Sequence, residues 1–179
     1  MSRVTIKLTP EEIKKAKSIA KKRDAKKAKF GAGRYGACSS KSRTGSSENS
    51  HFIGLLGEIA TAKYFDVKID TKIYDNHGDD GIDLDIPDLG KTQVKTTTYT
   101  NKPLLRIPCG TEKDVEKIEP VDTYICCCVN KSDYSEVDLV GFIEKDLAVK
   151  GKKVQFIQRG PINYVIEEDK LNKFNLNSL

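Results

Sequence analysis

The chain has 179 residues, a length that suits one domain with a sizeable core. Hydrophobic residues make up 37% and charged residues 32%, and helix and strand patterns recur after residue 50, which excludes a disordered chain. The net charge of +5 is unevenly spread, with lysines from Lys7 to Lys29 and acids around residues 75–88 and near the C-terminus; a basic arm beside an acidic centre suits a polyanionic partner held near a cation site, and equally a lysine-covered helix face turned to water.

In chain order, "VTIKL" reads as a short strand and the segment from Thr9 as a helix. Thr9 stands as N-cap, Pro10 at the first helical position and Glu12 at capping-box spacing. Ile13, Ala16, Ile19 and Ala20 make a narrow apolar stripe, and lysines cover most of the remaining surface. The Gly- and Ser-rich stretch from Gly31 to Ser50 has no periodicity and reads as a loop. Gly31, Gly33 and Gly36 match a dinucleotide-binding fingerprint, but they follow a lysine-rich helix instead of a strand and open no helix, so that reading fails. Arg34, Lys41 and Arg43 of this loop are suited to tracking a phosphate backbone, with Tyr35 available for stacking. Residues 1–50 thus form a basic helix and loop that belong to the same domain as a core over 51–179.

From His51, "HFIGLLGEIATAKYF" sets Phe52, Leu55, Leu56 and Ile59 at helical spacing, with Ala60 and Ala62 permitting close approach. Glu58 falls on the flank of that stripe, where a carboxylate can reach the edge of a sheet; an ordinary solvated glutamate is the alternative. "VKIDTKIY" reads as strand-like, "GIDLDIPDLGKTQVKTT" as a hairpin and "YTNKPLLRIP" as a polar, proline-broken link. "DTYICCCVN" and "EVDLVGFI" form a strand pair around "KSDYS", and "EKDLAVKG" one or two helical turns. "KVQFIQ" and "NYVIEE" are short strands and "EDKLNKFN" a terminal helix, which makes a mixed α/β chain without internal repeats.

Five cysteines occur, at Cys38, Cys109 and the run Cys126, Cys127 and Cys128. The odd count, the contiguous triplet and the lack of a signal peptide or long apolar span point to a reduced, cytoplasmic protein with no membrane partner. Neighbours in a strand face opposite sides, so the triplet cannot bind one metal and reads as small core residues.

The hairpin carries the chemistry. Alternation puts Ile82, Leu84 and Ile86 on one face and Asp83 and Asp85 on the other, while Gln93, Lys95 and Thr97 share a face of the return strand. A loop of Asp88, Leu89 and Gly90, with Gly90 left-handed, would pair Asp85 with Gln93 and Asp83 with Lys95. The Asp83 carboxylate, the Gln93 side-chain carbonyl, the Val94 backbone carbonyl and Glu58 then offer hard oxygens to Mg²⁺. Lys95, beside a metal-bound water, is suited to orienting it and stabilising charge on a phosphate. A cross-strand ion pair of Asp83 with Lys95 is the plain structural alternative. Asp79 and Asp80 before Gly81 read as turn-capping residues, with metal ligation the alternative, and His77 as a phosphate contact or a loop residue. An EF-hand reading of "DNHGDDGIDLD" fails, because no Glu falls at the twelfth position.

Through "GLLGEIATAKYF", "GIDLDI" and "TQVKTT" in that order, the sequence resembles the PD-(D/E)xK nuclease superfamily over residues 51–98. The resemblance implies a restriction-endonuclease-like core, a central mixed sheet flanked by helices. It implies Asp83 as principal metal ligand, Lys95 as catalytic lysine and Glu58 as the helix acid of the metal site. Gln93 stands where Glu or Asp is usual, keeping an oxygen ligand but losing a charge, and Ile82 stands where the motif has proline. The expectation is a Mg²⁺-dependent DNA endonuclease, with Mn²⁺ able to substitute. A nucleic-acid-binding protein that keeps the fold without catalysis is the alternative, and a homodimer is among the open oligomeric states.

Overall fold

The first strand, β1 (Val4–Lys7), alternates buried Val4 and Ile6 with exposed Thr5 and Lys7; it opens a computed structural model that describes residues 3–29, 47–69, 81–110, 120–156 and 161–174. Helix α1 (Pro10–Lys29) starts at the expected capping box. The Glu12 N–H donates to Thr9 Oγ1 at 3.2 Å and the Thr9 N–H donates to Glu12 Oε2 at 2.7 Å, which satisfies two of the helix's orphan donors. Ala16, Ile19 and Ala20 are buried, as the stripe requires.

Helix α2 (Ser47–Phe65) begins earlier than its apolar periodicity, at Ser47 rather than His51. Every residue from Phe52 to Ala62 except Gly54 is buried, because α2 packs on α1 on one side and on a sheet on the other. It ends in a Schellman motif: Asp66 takes φ 52 and the Val67 N–H donates to the Ala62 carbonyl at 2.9 Å. That turn bends the chain back, so Val67 and Ile69 pack on the helix-side core without forming the expected strand. The rest of "VKIDTKIY", from 70 to 74, lies outside the described residues.

Strands β2 (Leu84–Ile86), β3 (Gly90–Thr97), β5 (Thr123–Asn130) and β6 (Asp133–Glu144) join β1 in a five-stranded sheet of order β1-β6-β5-β3-β2. The β3–β5 pairing is parallel and the others antiparallel, so the sheet is mixed. The expected link over 99–108 gives way to a strand, β4 (Leu104–Gly110). It begins a three-stranded antiparallel sheet of order β4-β8-β7, completed by β7 (Lys152–Gln155) and β8 (Ile162–Glu167). Leu105, Ile107 and Cys109 face inward, and Pro108 is tolerated because β4 is an edge strand with a register shift at Pro108/Gly110. The short helix α3 (Lys145–Ala148) matches its sequence pattern. The expected terminal helix shrinks to a single 3₁₀ turn, Glu168–Lys170, after which Asn172 bridges to Phe142; residues after Phe174 lie outside the described set.

Two cores follow. Leu55, Leu56, Leu84, Val94 and Cys127 belong to the core between the helices α1 and α2 and one sheet face. Leu105, Ile107, Cys126, Cys128 and Tyr164 belong to the core between the opposite face and the small sheet. The fold is therefore mixed α/β, but the long helices cover one face of the mixed sheet only, and the small sheet with α3 covers the other. The cysteine triplet divides between the cores as strand alternation demands. Burial pushes the Cys127 thiol up to about 12 and the Cys128 thiol to about 11, and raises that of Cys126 as well, so none is a ready thiolate.

Candidate functional site

The β2–β3 hairpin turns through Pro87–Leu89, with Pro87 at the position that favours a fixed φ and the Leu89 N–H donating to the Ile86 carbonyl at 3.0 Å. Gly90 follows at φ 68, the left-handed conformation its sequence position suggests. It is not a loop residue, however: it pairs with Ile86, and the register runs Leu84 to Thr92 and Asp85 to Lys91. The expected pairings of Asp85 with Gln93 and Asp83 with Lys95 are thereby replaced. The slip is an even number of residues, so each side chain keeps its face. Leu84, Ile86 and Val94 lie in the helix-side core, which sets Asp85, Gln93 and Lys95 toward the opposite side.

At Asp83 the chain leaves the ladder. Its N–H donates to the Thr92 carbonyl at 3.0 Å, although Thr92 already pairs with Leu84. Its Oδ2 accepts the Val94 N–H at 2.8 Å. A strand residue's N–H and C=O point to the same neighbour, so the Val94 carbonyl is also directed to the side on which Asp83 lies. Gln93, buried, donates its side-chain amide to the Gly81 carbonyl at 3.0 Å, which turns its carbonyl oxygen away from Gly81. Asp83 is thus bonded to Val94, and Gln93 to Gly81, where β2 departs from β3.

Lys95 lies two residues further on the Gln93 face, half-buried, in parallel register with Cys126. Among the described residues it makes no ion pair or hydrogen bond, so the cross-strand pair with Asp83 is not formed. Glu58 is buried in the helix layer, with Oε1 at 3.9 Å from Arg23 Nη1. The same oxygen sits where it would contact a side chain at Gly54, whose carbonyl accepts the Thr96 hydroxyl at 3.5 Å. Glu58 therefore approaches the C-terminal half of β3 from the face opposite to Lys95. Gly57 is what allows this closeness, since any Cβ there would meet Thr96 and Cys127.

Arg23 was not evident as a site neighbour, although the stripe Ala16, Ala20, Arg23 runs at helical spacing and could have placed it against α2. Arg34, Tyr35, Lys41 and Arg43 lie outside the described residues, as do His77, Asp79 and Asp80. Among the described residues there is no group of three or more His, Cys, Asp or Glu set to hold a metal. No helix among them is long and apolar enough to cross a membrane. No family model, curated protein or solved structure matches the chain.

Proposed function

We propose that this protein is a metal-dependent nuclease of the PD-(D/E)xK type with a restriction-endonuclease-like core, acting as an endonuclease on DNA. The observation that carries the reading is the bond from the Val94 N–H to the Asp83 carboxylate at 2.8 Å. It sets a carboxylate against the Gln93–Val94–Lys95 segment, and among the described residues no ion pair consumes the lysine.

The donor set fits a hard divalent cation. The Asp83 carboxylate, the Gln93 side-chain carbonyl and the Val94 carbonyl are all oxygen ligands, the chemistry that suits Mg²⁺ or Mn²⁺. With one carboxylate among them the affinity is modest; Glu58 lies on the opposite face of β3, its Oε1 3.9 Å from Arg23 Nη1. Such an ion, when bound, lowers the pKa of its water and offsets charge on a phosphate. Lys95 holds the attacking water in line and stabilises the charge that grows on the phosphoryl oxygens. Attack is direct on phosphorus, with no covalent enzyme intermediate. The exposed Lys14, Lys15, Lys21 and Lys22 of α1 supply phosphate-backbone contacts, together with Arg34, Lys41 and Arg43 and stacking by Tyr35.

The test is incubation with supercoiled plasmid, linear duplex, single strand and four-way junction, each with Mg²⁺ and with EDTA. Cleavage of any of them in Mg²⁺ alone supports the reading. Binding of DNA without cleavage of any substrate replaces it with that of a nucleic-acid-binding protein without catalysis.

A further inference from the structure

Three large apolar side chains are exposed among the described residues, and two of them, Tyr99 at 61% and Phe156 at 43%, gather around one guanidinium. Arg106 Cζ lies 4.1 Å from the Phe156 ring centroid and 5.8 Å from that of Tyr99. Arg106 points outward from β4, and its row across the small sheet continues through Val165 to the exposed Lys152. Tyr99 is aimed by the end of β3, where its N–H donates to Thr97 Oγ1 at 3.2 Å. Among the described residues, Glu167 opposite Leu104 brings a carboxylate to this face.

Rings this exposed contribute little to folding, because much of their surface remains in water. Two rings held against a planar cation, with a further lysine in the same row, are instead matched to flat, electron-rich groups strung on a polyanion. Bases stack on aromatic faces and on Arg planes, while cations beside the stack meet the phosphates. In a duplex the base faces are already covered, so only unpaired bases can use such a surface. We propose that Tyr99, Arg106 and Phe156 form a stacking platform for the unpaired bases of a single-stranded nucleic acid. Recognition is tolerant of sequence, because every base has a π-face.

The platform stands by itself, but its relation to cleavage rests on the nuclease reading. Tyr99 follows Lys95 on the same chain, within a reach of about 14 Å. A strand stacked on the platform is then within reach of the Lys95 end of β3.

The experiment measures binding of fluorescein-labelled oligothymidylate and of a labelled duplex by anisotropy in EDTA, where nothing is cut. Wild type is compared with Tyr99→Leu, Phe156→Leu and Tyr99→Phe. Each loss of a ring is expected to weaken single-strand binding by about 5- to 150-fold, the range known for base–aromatic stacking, with duplex binding unchanged. Tyr99→Phe keeps the ring and binds as wild type does. Single-strand affinity unchanged in both Leu variants, or an equal loss for duplex, overturns the platform. Ring-dependent single-strand binding by a protein that cuts nothing in Mg²⁺ would uphold it while ending the nuclease reading.

Discussion

Asp83 serves the backbone as well as the proposed chemistry, and the two roles separate by substitution. Its Oδ2 accepts the Val94 N–H at 2.8 Å, so Asp83→Ala leaves a donor without its acceptor and costs about 1–3 kcal/mol of stability. Asp83→Asn keeps an oxygen for that N–H and loses only the charge. Its urea midpoint is expected near that of wild type, with Mn²⁺ binding weakened at least tenfold by calorimetry. Wild-type Mn²⁺ affinity in Asp83→Asn would remove the carboxylate from the ligand set. That Gln93 and Lys95 share a face of β3 was legible because side chains alternate with period two along a strand. That Asp83 would bond to Val94 was not, because it depends on where β2 breaks away, which no local pattern encodes.

Helix α2 meets the sheet through Gly57, where a methyl group would run into Thr96 and Cys127. Gly57→Ala gains helix propensity of about 1 kcal/mol but overpacks this contact at about 1–3 kcal/mol. A net loss in thermal midpoint is expected, and a rise would show that α2 can lift from β3 without strain. The elements read well where their signals are local: the Thr9–Glu12 box opens α1, and the apolar period of Phe52, Leu55, Leu56 and Ile59 marks α2. They read poorly where pairing is distant. Strand β4 was hidden by Pro108 and finds its partner only in β8, Leu104 beside Glu167. In the hairpin, Gly90 carries the positive φ of a loop residue yet pairs with Ile86, and this double role is what displaced the register.

The first and last described elements are held together by one cluster. Arg3 donates from Nε to Glu168 Oε1 at 2.9 Å, from Nη2 to Oε2 at 2.7 Å and from Nη1 to the Thr100 carbonyl at 2.8 Å, linking the residue before β1 to the 3₁₀ turn. Lys173 Nζ adds bonds to the Val140 and Glu168 carbonyls, each at 3.0 Å. Hydrogen bonding to Arg3 holds the Glu168 carboxyl below its ordinary value of 4.5. A depressed folded pKa contributes stability that is present above 4.5 and is lost as pH falls through the lower folded value. Glu168→Gln is therefore expected to be less stable than wild type at neutral pH, with the gap in urea midpoints closing as pH is taken below 4.5. A gap independent of pH would assign the effect to packing alone. The three layers, helices over a mixed sheet over a small sheet, converge on β3, whose central residues are the proposed catalytic segment. The most direct measurement is the single-turnover rate of plasmid nicking in Mg²⁺ by wild type and by Lys95→Ala at matched folded concentration. The account predicts a fall on the order of 10²–10³-fold with DNA affinity nearly retained; equal rates for the two proteins would contradict it.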